Sequence, residues 1–374
     1  MMRNPTYQNR AGLACCGLIV LSLAGGGCQV IPDRGNGEPA SERIVYGFSL
    51  APRQRLGFSP AAIPSTEFRG IELGMHGYYF RPSEKNGMVY TCRGGHIDTT
   101  HLRIAADWTA YLAAESYRCL MRGEPGFSYK LLADRSRHRV RITYPGDWSS
   151  RTPAQRERIA REAALAMGPY LAYSMVTWHE ILTWHGFRCV GVLPEFLSAF
   201  SWEDSFSNLL GTIVASKALR DTEHPYDEAM TIALERELRL LGVQPAAVAR
   251  QASESVRGDW YTGRRGFFVD MRKRGLNVGC DTGVAIPVLV PGITQCADAA
   301  PARYPAPTLD VLSRWGLAVE VEIEPHEWEK NKILRIVYPD GKGRRIRPDA
   351  HFAPILRSIR RDAIARYGPA SVGE

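Results

Sequence analysis

Residues 98–120 read D-T-T-H-L-R-I-A-A-D-W-T-A-Y-L-A-A-E-S-Y-R-C-L. No proline or glycine interrupts the chain until Gly123. Leu102, Ala105, Trp108, Leu112 and Cys119 recur at helical spacing, so the pattern predicts a long helix with one apolar face. Asp98 suits its N-cap, because a short acceptor side chain can take an orphan amide of the first turn.

Working outward, Thr152-Pro153 is a helix start, with proline at the first helical position. The helical pattern then runs from Ala154 to His185, with a break or kink expected at Gly168-Pro169 and a stop at Gly186. Ser201 opens another helix, with Asp204 three residues on as a capping-box acid. Two more helices are expected at 225–241 and 245–256, and a last one at 351–366. Residues 127–144 alternate as a hairpin. Beyond Gly258, F-F-V-D-M-R, L-N-V-G-C and V-A-I-P-V-L-V read as strands. L-A-V-E-V-E-I and K-I-L-R-I-V-Y read as an antiparallel pair. The expectation is an α+β chain: a mainly helical core over 61–258 and a β-rich part over 259–374.

The first residues read as export machinery rather than fold. Arg3 and Arg10 precede the apolar run Gly17 to Ala24, which is too short to span a bilayer comfortably. Gly25-Gly26-Gly27 then leads to Cys28, the expected lipidation site of a bacterial lipoprotein signal covering 1–28, although leucine is usual where Gly25 stands. Cleavage and simple secretion is the alternative. Residues 29–60 are a polar, Gly/Pro-bearing tether. Either way the remaining cysteines, Cys92, Cys119, Cys189, Cys280 and Cys296, meet an oxidising compartment. Cys280 and Cys296 flank a short apolar stretch and are the preferred pair. The absence of C-x-x-C excludes a cysteine zinc knuckle.

Net charge is +8 and the basic runs are scattered. Without basic clusters interleaved with stacking aromatics, no nucleic acid is expected as partner, whereas anionic lipid or cell-wall polymer fits the charge.

Candidate chemistry lies in two segments. In W-H-E-I-L-T-W-H, His179-Glu180 resembles half of H-E-x-x-H, but the residue four after His179 is Thr183. His185 lies about 240° further round a helix, so the two histidines cannot chelate one ion. A helix C-terminal position, next to Gly186, is the plainer role for His185. In C-R-G-G-H-I-D-T-T-H, His96, Asp98 and His101 cluster, with Asp98 and His101 three apart on a first turn. Three N/O donors and an open water position are what a catalytic zinc or similar divalent transition metal requires. His96, His101 and His179 are therefore the expected ligands, with Asp98 or Glu203 as a further one and Glu180 as general base on metal-bound water. The plain alternatives are an N-cap for Asp98, a helix cap for Glu203-Asp204, and a buried hydrogen-bonded pair for His179-Glu180. Cys92 precedes the first helix by too much for a helix-activated thiolate, and no G-x-S-x-G supports a serine triad.

Together, Y-T-C-R-G-G-H-I-D-T-T-H-L-R, W-H-E-I-L-T-W-H-G and S-A-F-S-W-E-D-S-F-S-N-L-L-G resemble a family of uncharacterised bacterial lipoproteins defined by a domain of unknown function. The resemblance covers roughly 60–300 and implies an envelope location, with no established reaction. Two readings follow: a metal-dependent envelope hydrolase, or a non-catalytic envelope lipoprotein that binds a protein or cell-wall partner.

Overall fold

The long helix predicted after Asp98 forms as α1 (Thr99–Arg122). The Asp98 carboxylate accepts from the Thr100 amide, and Gly123, at φ 65°, closes the helix by donating its N–H back to the last turn. A computed structural model describes residues 67–77, 84–131, 134, 136–189, 193–194, 196–263 and 269–372. The expected leader, the lipidation site Cys28 and the tether lie outside the described residues.

Helix α1 is the centre of the molecule. It packs along α2 (Pro153–Trp184) on one side and α3 (Asp204–Ala218) on the other. Thr152 starts α2 with a complete capping box to Gln155, and the helix runs on through Pro169 without ending there. The expected break is absent because α2 is almost wholly buried beyond Ile159, and packing outweighs the missing hydrogen bond. Gly168 instead explains close approach: a Cβ there would lie 2.7 Å from the Thr109 carbonyl oxygen of α1. Gly211 does the same for α3, where a Cβ would stand 2.1 Å from the Leu102 carbonyl oxygen. Helices α4 (Tyr226–Leu240) and α5 (Ala246–Ser255) complete the helical core, close to their expected limits.

A fully buried hairpin, β1 (Met88–Thr91) and β2 (Gly95–Asp98), leads into α1. Its faces alternate with the period of a strand. Val89 and Ile97 enter the main core, while Met88 and Tyr90 join a second apolar cluster with Trp202, Val248, Tyr261 and Met271. The predicted hairpin at 127–144 forms as β3 (Gly126–Lys130) and β4 (Arg137–Thr143), with a third strand β5 (Ala318–Glu324) on the far side of β4.

The C-terminal part departs from its expected pattern. K-I-L-R-I-V-Y does not pair with β5. It lies within and just after helix α6 (Lys330–Val337), and β5 pairs with β4. A short apolar run fits either period, and here Ile333 is buried while Arg335 faces out. Residues 259–310 contribute only two-residue strands among the described positions, followed later by α7 (Pro348–Tyr367). The fold is α+β, with helices forming its core. No helix among the described residues is long and apolar enough to cross a membrane.

The preferred cysteine pair is also corrected. Cys92, in the β1–β2 turn, is bonded to Cys296, and Cys119 and Cys280 are free thiols. Proximity in sequence misleads here, since the bonded residues are 204 apart.

The glycine contacts are directly testable. Gly211→Ala should destabilise the protein by about 3 kcal/mol, since an added methyl meets rigid backbone. Gly146→Ala, with nothing within 4 Å, should change stability by less than about 0.5 kcal/mol. Equal urea midpoints for the two variants would show that α1 and α3 are not in such close contact.

Candidate active site

The starts of α1 and α3 and the last turns of α2 bring one group of side chains together. His101, in the first turn of α1, places Nδ1 2.9 Å from Asp98 Oδ2 and 3.6 Å from Asp204 Oδ1. Its side chain is 26% exposed, whereas Asp98 and Asp204 are buried. His101 is thus the member of the group that solvent reaches. Burial opposes its charge, but the carboxylates of Asp204, Asp98 and Glu180 outweigh that and raise its pKa well above the ordinary histidine value.

The carboxylates sit where local folding needs acceptors. Asp204 Oδ2 accepts from the Ser201 amide at 3.0 Å, the backward half of the expected capping box. Ser201 Oγ donates to Glu203 Oε1 at 2.8 Å rather than capping an amide. Ser207 Oγ receives the Asp98 amide and donates to the Glu203 carbonyl, which ties α3 to the end of β2. Glu180 Oε2 accepts from the Phe200 amide at 2.7 Å. Phe200 has φ 52°, the only positive φ of a non-glycine residue among the described residues. Glu180 therefore holds a strained turn immediately before Ser201–Asp204.

Burial without matching donors shifts these acids. Desolvation raises Glu203 to about 7, and the neighbouring Asp98 charge adds to it. Asp204 is raised well above the usual carboxylate range, by desolvation against the attraction of His101. Glu203 Oε2 has no hydrogen-bond partner among the described residues. A proton shared within this group is the chemical resource of the site.

Of the expected metal ligands, the structure brings Asp98, His101 and Glu203 into one neighbourhood. His96 and His179 are committed elsewhere. His96 is buried with Nε2 3.1 Å from the Ala249 carbonyl oxygen, and its Nδ1 accepts from the Trp202 indole at 3.4 Å. Both ring nitrogens are used, and burial lowers its pKa to about 4. His179 places Nδ1 3.2 Å from buried Asp134 and lies edge-on to Phe187. That pair belongs to a second polar cluster, in which Ser136 Oγ accepts from Trp178 and donates to Glu327. His179 and Glu180 thus serve different clusters, as neighbours on a helix about 100° apart must. Among the described residues no three His, Cys, Asp or Glu side chains are placed to hold a metal ion. The residues as arranged do not fit the expected zinc.

Sequence reasoning missed the roles of Phe200 and Arg274. Arg274 is fully buried under the same turn, donating to the Ala199 carbonyl and facing Trp184, Phe196 and Tyr367. Its place in R-K-R reads as surface charge, and only the surrounding aromatics could have hinted otherwise.

A family model described as a protein of unknown function (DUF4056) matches residues 72–268. The chain belongs to this family. The DUF4056 region spans the hairpin, α1 to α5 and every residue of the group around His101. No curated protein and no solved structure matched the chain.

The raised acid gives a pH signature. Glu203 folded binds protons more tightly than unfolded, so its contribution is fully favourable below about pH 4.5 and is lost as pH rises to about 7. Glu203→Gln should therefore stabilise the protein by about 2–3 kcal/mol at pH 8 and little at pH 4.5. Glu327, also raised to about 7 mainly by desolvation, supplies a separate dependence that the variant keeps. Urea unfolding across this range measures both, and an unaltered gain-free profile for Glu203→Gln would refute the raised acid.

Proposed function

We propose that this DUF4056 protein is a hydrolase of the bacterial cell envelope, lipid-anchored through Cys28, that works by general acid–base catalysis at His101. The observation that carries this is a solvent-reaching His101 ring held at Nδ1 by Asp98, beside Asp204 and the easily protonated Glu203, with its charged form favoured by the surrounding carboxylates. With Nδ1 engaged, Nε2 is the nitrogen left to meet a substrate. Water adds to the scissile centre while the Nε2 proton passes to the leaving atom, so that the new C–O bond replaces the one that breaks. The neutral imidazole then accepts a proton from the attacking water, so the catalyst is restored and water is the only co-reactant. Asp98 and Asp204 fix the ring and stabilise its charged form, while Glu180 positions the turn that carries Asp204. The disulfide Cys92–Cys296 supports an extracytoplasmic location, since such bonds persist in oxidising compartments.

The test is turnover of muropeptides, peptide amides and carboxylic esters by purified protein. His101→Gln should reduce kcat by about 10²–10⁴. Wild-type activity should fall as pH rises through the His101 pKa, because the acid form is the active one. Turnover that survives His101→Gln would sink the mechanism. Cys28→Ser should move the protein from the membrane to the soluble fraction, and unchanged fractionation would remove the anchor.

A second reading has its own support. Asp98, Glu180 and Asp204 each accept from a backbone amide, as a purely structural network would. A non-catalytic lipoprotein binding an envelope partner would show no turnover of any of the three substrate classes. His101→Gln would then cost about 3–5 kcal/mol of stability, as removing one member of a buried charge group does.

A further inference from the structure

The sequence around α6 is unlike the rest of the surface. Trp328, just before the helix, is 96% exposed, the largest exposure of any large hydrophobic side chain among the described residues. Leaving an indole in water forfeits a sizeable hydrophobic gain, and tryptophan is enriched where a surface meets the interface of a membrane. Lys332 and Arg335 hold exposed positions on α6, and Trp328 stands two residues before its first turn. Ile333, buried in the main core, anchors the helix. Lys332 braces the helix against α2 by donating to the His185 carbonyl at 3.1 Å.

The chain then turns through Tyr338, whose hydroxyl donates to the Arg345 carbonyl, and brings residues 342–347 back beside the end of α6. Lys330, Lys332, Arg335, Lys342 and Arg344 make no ion pair among the described residues, whereas Arg345 is paired with Glu322 and Arg347 with Asp349. The acids on or beside this stretch are Glu329, Asp340, Asp349, and Glu320 and Glu322 of β5, while Glu327 is buried and raised to about 7. Over residues 328–347, seven lysines and arginines stand against the two acids Glu329 and Asp340.

We infer that Trp328, α6 and the Lys342–Arg347 segment form a docking face for an anionic lipid bilayer. Indole settles at the level of lipid headgroups, and lysine and arginine beside it meet anionic phosphates. Charge alone would suit any polyanion, but the bare tryptophan selects a surface with an apolar layer beneath its charge. This contact needs neither the catalytic reading nor the lipid anchor.

Co-sedimentation with vesicles tests it, using the full chain carrying Cys28→Ser so that no acyl chain is added. Binding to vesicles of equal phosphatidylglycerol and phosphatidylcholine should exceed binding to phosphatidylcholine alone, and should weaken with salt. Trp328→Ala, and separately Lys332→Gln with Arg335→Gln, should each weaken binding to the anionic vesicles by about tenfold or more. The apolar leader contributes equally to every variant, so the differences report the face. Lys330→Gln with Lys342→Gln, which touches no contact to α2, repeats the charge test should the first pair unfold. Equal binding to both vesicle types, or no change in any variant, overturns the proposal. So does a Trp328-dependent dimer in sedimentation velocity, which would assign the face to a second copy.

Discussion

The distance between α1 and its two neighbours governs this molecule. Gly168 and Gly211 let backbone touch backbone, and Ala105 and Ala113 of α1 meet the same contacts. Helices so closely set have little room to slide, because an interior packed at crystal density gives way only in discrete steps. The consequence reaches the ends of the helices. With α1 and α3 locked side by side, their first turns stand together, and His101 of one comes against Asp204 of the other. Glu180, near the end of α2, is placed to fasten the turn that enters α3.

At those helix ends the fold concentrates negative charge. Asp98, Glu180, Glu203 and Asp204 share a small region with a single imidazole, and water is mostly excluded. Such a group holds extra protons or a cation. Here the structure supplies His101, and it leaves Glu203 inclined to stay protonated. The same residues cap helices and define turns, so stability and proton chemistry rest on one set of atoms.

Much of this was legible in the sequence, and the reasons are physical. The Asp98 N-cap, the Thr152 start, the helices around 225–256 and the hairpin at 127–144 follow from local rules, and all formed. The grouping of Asp98, His101 and Glu203 was also within reach, because caps place acids at helix starts. Long-range commitments were not. Nothing near His96 announces that Ala249 and Trp202 occupy its nitrogens, and nothing near His179 announces Asp134. A histidine in sequence is a possible ligand until its partners are known. The disulfide and the helical α6 misled for related reasons: one joins residues far apart in the chain, and the other is a run too short for its period to be decisive.

The Cys92–Cys296 bond has a further meaning. Cys92 sits at the tip of the hairpin whose second strand ends in Asp98, and Arg93 beside it holds the Ala302 amide by its carbonyl. The sulfur link therefore staples the platform on which His101 is mounted to a distant stretch of the chain. In a reducing cytoplasm that staple is open. For a chain exported as proposed, that staple would close only after crossing the membrane, and the anchoring of the hairpin would depend on the oxidising conditions found there.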